Sequence, residues 1–150
     1  MKRSLAAVEE ENIELVRKVL EAWSRGDVEA FEELVTPDYA FYYPSGNPDP
    51  MSREETIELL MMFRTSFPDI NWSMEQIFAV GDEVIFSFIQ RGTHEGEFQG
   101  IAATGKTVEG SGILITRIEN GKVAEHREEF DMLGLMQQLG MELRPAAVEE

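Results

Sequence analysis

The segment Gly121–Asp131, GKVAEHREEFD, starts at an expected turn and then has the pattern of one β-strand. Because side chains alternate between the two faces of a strand, its residues fall into two sets. These are Val123, Glu125, Arg127, Glu129 and Asp131 on one face, and Ala124, His126, Glu128 and Phe130 on the other. Burying the first set would place four charges in the core, and each unpaired buried ion costs several kcal/mol. We therefore predict that the second set faces the interior.

This assignment turns one carboxylate, Glu128, towards an apolar interior. Such a group is either held in a structural pair, here by His126 or Arg91, or tuned as an acid or base. His126 is two positions away on the same face, so we expect the two side chains to be coupled. His126 could orient Glu128, donate to a substrate carbonyl, or only fill space.

Composition limits the class of protein. A chain of 150 residues with 43% hydrophobic residues predicts one domain over 1–150, with a core of about 9–140. A net charge of −16 argues against nucleic acid or an anionic membrane surface as partner. The absence of cysteine excludes a disulfide framework, and no apolar run approaches the ~20 residues of a membrane span. Met1–Ala7 lacks a following apolar stretch, so we expect no secretory signal and a cytoplasmic location.

Helices are expected before strands. Periodic apolar residues predict helices over about 9–24, 28–35 and 52–66, and a last one after Asp131. Gly26 fits the end of the first, Asp27 the start of the second, and Ser52 with Glu55 a capping box for the third. Strands are predicted over about 39–43, 72–80, 83–91, 108–118 and 121–131, with hairpin turns at 81–82 and 120–121.

This order predicts an α+β fold with the helices on one face of the sheet. We expect a strongly curved, mixed or antiparallel sheet wrapped around the N-terminal helices, forming a cone-shaped barrel with an apolar cavity. The strand segment Val84–Ile89 is apolar on both faces, so a second subunit is expected to cover its outer side as a homodimer.

Several motifs in this order resemble a known family. They are GTHEGEFQG at 92–100, TGK at 104–106, GKV with EHR at 121–127, QLG at 138–140 and the pattern from Gly26 to Tyr39. Together they resemble the SnoaL-like polyketide cyclases of the nuclear transport factor two-like superfamily, from about Ile13 to Gly140.

The resemblance implies an intramolecular aldol ring closure without metal or cofactor. In the cyclases an aspartate on the last strand is the acid/base, and its position here holds Glu128, one methylene longer. The steroid isomerases share the fold, but their base would fall at Tyr43 and their oxyanion-hole aspartate at Leu114, where the cyclases have histidine. Isomerase chemistry of that type is therefore disfavoured.

The candidate site follows from both arguments. Glu128 and His126 are the candidate catalytic residues, and the candidate substrate-binding residues are His94, Tyr43, Arg91, Leu114, Phe130 and Trp23. For His94 a structural role at a bend is the favoured interpretation. Two histidines and scattered carboxylates do not form a recognisable metal site.

The favoured function is thus a cofactor-independent, cyclase-like enzyme that acts on a small apolar carbonyl compound, with a ring-containing or polyketide-like ligand. A non-catalytic ligand-binding or scaffold module of the same fold is the alternative. A third option is an epoxide hydrolase, which needs two carboxylates around an arginine; Glu128 and Arg91 could supply part of it.

Overall fold

The computed structural model describes residues 3–148. It contains four helices, α1 Leu5–Arg25, α2 Val28–Leu34, α3 Arg53–Ser66 and α4 Met132–Gln138. Its five strands are β1 Val35–Tyr42, β2 Asn71–Val80, β3 Glu83–Thr93, β4 Thr107–Glu119 and β5 Lys122–Phe130. Within the described range, no helix is long and apolar enough to cross a membrane.

The predicted helix ends are confirmed by their caps. Gly26 adopts a left-handed conformation, φ 68°, at the end of α1, and the Asp27 carboxylate accepts a hydrogen bond from the Ala30 amide at the start of α2. Ser52 and Glu55 form the capping box of α3. Only the start of α1 differs: the helix begins at Leu5 rather than near residue 9, because the Ser4 side chain caps it there.

The sheet is mixed and open. Its strand order is β1-β5-β4-β3-β2, with β1 parallel to β5 and the other neighbours antiparallel. Because β1 and β2 are both edge strands and do not pair with each other, the predicted closed and strongly curved barrel is wrong. The first strand also begins earlier than predicted, since buried Val35 already pairs with Val123, and an edge strand tolerates the proline at position 37.

The two faces of the sheet differ in burial. Along β4, buried and exposed residues alternate almost without exception, as expected for a strand with one covered face. The inner face lies under the helices and carries the aromatic residues Phe86 and Phe88. The outer face leaves Phe78 59% and Ile113 54% exposed.

Two glycines of β4 make room for aromatic rings on the inner face. A Cβ atom at Gly110 would lie 2.3 Å from Cζ of Phe130, and one at Gly112 would lie 2.4 Å from Cζ of Phe88. Phe88 and Phe130 stack in parallel, with ring centroids 6.2 Å apart. Because both glycines lack a side chain, the rings of Phe88 and Phe130 can pack against this face of β4.

The predicted inner face of β5 is found, with one correction. Ala124 and His126 are buried and Glu128 and Phe130 are partly buried. Val123, which alternation assigned to the outer face, is also fully buried. The cause is an irregularity in the pairing of β4 with β5, where Arg117 opposes Glu125 but Ile118 opposes Val123, so that Ala124 is an extra residue.

Candidate active site

A pocket with a volume of about 140 Å³ lies between α1, α3 and the inner face of the sheet. Its wall is mostly aromatic and aliphatic, and Glu128 is the one charged residue among its lining residues. These are Trp23, Phe41, Tyr43, Thr56, Leu59, Leu60, Met62, Phe63, Trp72, Gln90, Gln99, Glu128, Phe130 and Met132. A carboxylate in such surroundings loses most of its hydration.

The environment of Glu128 favours its protonated form. Burial, with a smaller contribution from the charge of Glu129, raises the pKa of Glu128 to about 8. Across the strand pair, Glu128 opposes fully buried Leu114, which offers no polar group. Within residues 3–148 the Glu128 carboxylate accepts no hydrogen bond and forms no ion pair, so the structural pairing with His126 or Arg91 is not formed.

The charge of Glu128 contributes to a raised pKa in two nearby tyrosines. Tyr43 lines the pocket, and burial together with the charges of Glu128 and Glu129 raises its pKa above the ordinary value. Burial and Glu128 also raise the pKa of fully enclosed Tyr39. Both phenols therefore remain neutral donors at physiological pH, and the Tyr43 hydroxyl is available at the pocket wall.

His126 lies behind the pocket wall. It is fully buried, its Nδ1 atom is 2.7 Å from the Tyr39 hydroxyl oxygen, and its ring packs edge-on against Trp23 at 5.3 Å between centroids. Burial lowers the pKa of His126 to about 3, so the ring is neutral. His126 is thus placed to position Trp23, while Glu128 itself faces the pocket.

Of the other predicted site residues, Trp23, Tyr43 and Phe130 line the pocket. Trp23 is buried, and its Nε1 atom has no hydrogen-bond partner in the described part of the chain. A buried indole N–H usually finds an acceptor, so the N–H of Trp23 is an unused donor.

The remaining three predicted residues do not line the pocket. Leu114 is fully buried within the sheet. Arg91 is exposed, forms an ion pair with Glu109 at 2.6 Å and approaches Ser73, which places it on the outer face. His94 is buried at the bend after β3, where its Nδ1 atom is 3.0 Å from the Thr104 hydroxyl.

Some pocket residues were not identified from the sequence. The most informative is Gln90, which is only 8% exposed and lies on the inner face of β3 with Phe86 and Phe88. The sequence did contain an indication that Gln90 lines the pocket, because it is a polar residue at an inward position of an otherwise apolar strand. Gln99 was also missed; it reaches the pocket from a loop in which its own φ is 50°.

The pocket does not assemble the epoxide hydrolase arrangement. Its lining residues in the described chain include one carboxylate and no arginine. Likewise, among residues 3–148, no three His, Asp or Glu side chains come close enough to hold a metal ion.

Comparison with known proteins places this architecture in a family. The sequence profile described as SnoaL-like polyketide cyclase matches residues 13–139. The aklanonic acid methyl ester cyclase DnrD of Streptomyces peucetius is 29% identical over 133 residues, which cover 85% of this chain and 90% of DnrD. The crystal structure of AclR from Streptomyces galilaeus superimposes with a TM-score of 0.80 at 28% identity, covering 88% of this chain and 97% of AclR.

A more distant structure shows the fold alone. A Catenulispora acidiphila protein described as having a ketosteroid isomerase-like fold gives a TM-score of 0.71 at 15% identity, over 88% of this chain and 98% of its own. The family profile, by contrast, spans most of the chain, including the strand that carries Glu128. The chain therefore belongs to the SnoaL-like polyketide cyclase family.

Proposed function

We propose that this protein is a cofactor-independent enzyme that catalyses proton transfer on a small ring-containing carbonyl compound, as in an intramolecular aldol ring closure. The observation that carries the proposal is Glu128, the one charged residue lining an apolar pocket, with its pKa raised to about 8. A base with a pKa near the working pH combines an adequate ionised fraction with a strong driving force for proton abstraction.

The proposed ring closure needs no reagent other than the substrate and Glu128. Ionised Glu128 takes a proton from the carbon next to the carbonyl, and the bonding electrons move onto the carbonyl oxygen. The enolate carbon then attacks a second carbonyl of the same molecule, and protonated Glu128 returns its proton to the new alkoxide. The unpartnered Nε1–H of Trp23 and the neutral hydroxyl of Tyr43 are the donors available for the developing oxyanion.

The dimensions of the pocket favour a small substrate. A volume of about 140 Å³ resembles that of engineered protein cavities that hold benzene, and drug-sized ligands occupy roughly 300–1,000 Å³. We therefore expect one aromatic ring with short substituents to fit without rearrangement.

The relatives suggest a second, larger test compound. DnrD is named for its action on aklanonic acid methyl ester. If this chain accommodates such a polyketide, the pocket must widen on binding, and the compound must be consumed to a cyclised product. Chromatography of the reaction mixture tests the ring closure itself.

The proton-transfer step is tested with acetophenone in deuterated water. Wild-type protein is expected to accelerate deuterium incorporation into the acetyl methyl group, followed by NMR. Glu128→Gln keeps the size of the side chain and removes the base, so we expect a loss of roughly 10²–10⁴-fold.

Glu125→Gln is the matched control, because Glu125 belongs to the same strand but pairs with Arg117 and Arg127. Its exchange rate should stay within about twofold of wild type, because Glu125 lies on the other face of β5 and does not line the pocket. Equal rates in wild type and Glu128→Gln would contradict the proposal. If acetophenone and aklanonic acid methyl ester bind but neither reacts, the ligand-binding module is the better description.

We also propose that the outer face of the sheet is covered by a second copy of this chain. The support is a row of apolar residues across three strands, in which exposed Phe78 opposes Ile85 and Ile85 opposes Ile115. An identical patch on each copy suits a two-fold interface. Analytical ultracentrifugation should give a dimer for wild type and a monomer for Ile113→Glu; a wild-type monomer at high concentration would contradict this.

A further inference from the structure

One buried polar side chain of the pocket takes no part in the proposed reaction. Gln90 is 8% exposed and lines the pocket. Its side-chain amide has no hydrogen-bond partner among residues 3–148, although neighbouring Trp72, Ser73 and Arg91 all take part in side-chain or backbone hydrogen bonds. An amide that lines an apolar pocket and has no protein partner can exchange hydrogen bonds with a ligand.

The sheet register places Gln90 far from Glu128. Gln90 opposes Gly110 on β4, whereas Glu128 opposes Leu114, four residues further along the same strand. β3 and β5 lie on either side of β4. With about 4.8 Å between strands and about 3.3 Å per residue, the two Cα atoms are roughly 16 Å apart. The two side chains therefore face the pocket from opposite ends, and one ligand oxygen does not readily reach both.

Between these ends lies an apolar floor. The ring of Phe130 lines the pocket and lies over Gly110, the residue opposite Gln90. An aromatic ligand ring can pack against it in an offset or edge-on arrangement. A ring bound there would direct one substituent towards Glu128 and the opposite one towards Gln90.

The other polar residues of the pocket do not compete for this role. The Thr56 hydroxyl already donates to the Ser52 carbonyl at 2.8 Å, and Gln99 is an exposed loop residue. Tyr42 opposes Arg127 on β5, so the next residue, Tyr43, lies beside Glu128 at the other end of the pocket. Gln90 is thus the buried amide that remains for the end of the pocket away from the carboxylate.

We propose that Gln90 determines specificity by hydrogen-bonding a second oxygen of the ligand, so that the pocket selects aromatic ketones with a hydroxyl or carbonyl group on the side of the ring opposite the reacting carbonyl. Gln90 suits either group, because its amide offers both donors and an acceptor. This inference rests on the proposed function for the identity of the reacting carbonyl, but not for the contact itself.

A pair of ligands tests the inference in the unmodified protein. para-Hydroxyacetophenone carries the second oxygen, and para-methylacetophenone replaces it by a methyl group of similar size. We expect wild-type protein to bind the hydroxy compound about tenfold more tightly at a pH below the pKa of the phenol. NMR titration gives both dissociation constants and shows which side-chain amide signals move.

A variant then assigns the preference to one residue. Gln90→Met keeps an unbranched chain of similar length and removes the amide, so its preference for the hydroxy compound should disappear while binding of the methyl compound persists. Gln137→Met makes the same change on the exposed side of α4 and should retain the preference. The side-chain amide signal that moves in wild type should be the one missing from Gln90→Met.

The outcomes separate this inference from the proposed reaction. Equal affinities for the two compounds in wild type, or an unchanged preference in Gln90→Met, would overturn the role of Gln90. A preference that is lost in Gln90→Met supports it even if deuterium exchange is absent, in which case only the catalytic proposal fails. Exchange that depends on Glu128 with no ligand preference would leave the reaction in place and remove Gln90 from recognition.

Discussion

The carboxylates on the two faces of β5 lie in different surroundings. On the outer face, Glu125 bonds Arg117 at 3.0 Å and Arg127 at 2.7 Å. Glu129 accepts hydrogen bonds from the backbone and hydroxyl of Ser45. On the inner face, Glu128 has no such partner within the described residues and lies in an apolar pocket. Neighbours in the sequence therefore differ completely in environment.

The difference shows that the absence of partners changes the pKa of a carboxylate. Arginines next to a carboxylate stabilise its charge, and the Glu125 contact in turn raises the pKa of Arg117. Glu128 has desolvation without compensation, which raises its pKa into the range useful for a base. The ion pairs of Glu125 stabilise the outer face, whereas burying the uncompensated Glu128 costs stability, and the proposed function would use that raised pKa.

The largest expected effect is on the pH dependence of exchange. Because Glu128 must be ionised to abstract a proton, the rate should rise as pH increases through about 8 and then level off. Below that value the ionised fraction falls about tenfold per pH unit, so the rate at pH 6 should be roughly a hundredfold lower than at its plateau. Rates of acetophenone exchange across this range check the prediction.

A companion variant sharpens this measurement. Glu129→Gln removes a charge that contributes to the raised pKa of Glu128, so its profile should move slightly to lower pH with an unchanged plateau. A wild-type profile already flat from about pH 5 upwards would mean that Glu128 has the pKa of an ordinary carboxylate.

The next effect concerns packing on the two faces of β4. Gly110→Ala would put Cβ 2.3 Å from Cζ of Phe130, so we expect a loss of about 1–3 kcal/mol in the free energy of unfolding. Ser111→Ala changes the next residue, which is exposed on the outer face, and should stay within about 0.5 kcal/mol. Urea denaturation of both variants measures the contrast, and equal stabilities would show that Phe130 can move aside freely.

A similar contrast exists between two tyrosines of β1. Tyr39→Phe removes the hydroxyl that bonds buried His126 and should cost about 1–2 kcal/mol. Tyr42→Phe keeps the ring that lies 3.9 Å from the Arg127 guanidinium and should cost much less. Thermal and urea unfolding of the two variants compare how much each tyrosine hydroxyl contributes to the free energy of unfolding. A neutral Tyr39→Phe would indicate that the His126 hydrogen bond adds nothing to stability.

The contribution of His126 to the pH dependence of stability has a definite sign. Its pKa is about 3 in the folded protein, below the ~6.5 of an unfolded histidine. Its contribution is therefore complete above about pH 6.5 and is lost as pH falls towards 3. In His126→Phe the loss of unfolding free energy over this range should be smaller than in wild type.

The smallest effect is expected for the outer ion pairs. Arg127→Met removes the contacts with Glu125 and with the Ser45 carbonyl, and it should cost less than about 1 kcal/mol because the Arg127 side chain is half-exposed and Glu125 keeps its pair with Arg117. The difference from wild type should shrink further in high salt, because exposed charges are screened. A loss comparable with that of Gly110→Ala would mean that the outer face is also essential for the fold.

The sequence alone determined the local features of this protein. Caps such as Gly26 and the Ser52–Glu55 box act over three or four residues, and they define where helices begin and end. Alternation along β5 identified the inward carboxylate, because the cost of burying charge allows only one orientation. The ordered motifs also pointed to the family, and the profile match over residues 13–139 confirms that resemblance.

Only the tertiary structure decided which residues meet. Arg91 was a reasonable partner for Glu128 from its charge, but the parity of β3 turns it to the outer face beside Glu109. His94 and His126 look alike in sequence, yet one closes a bend with Thr104 and the other bonds Tyr39 behind Trp23. These contacts depend on the register between strands that are distant in the sequence. The alternation of residues within a single strand does not reveal that register.

The open sheet and the pocket also depend on contacts between distant segments. Local signals predicted each strand but not that β1 pairs in parallel with β5 at one edge while β2 ends the other. The distance between Gln90 and Glu128 follows from that order. The sequence determines the chemistry of these two side chains, and their separation across one pocket arises only because β4 lies between their strands.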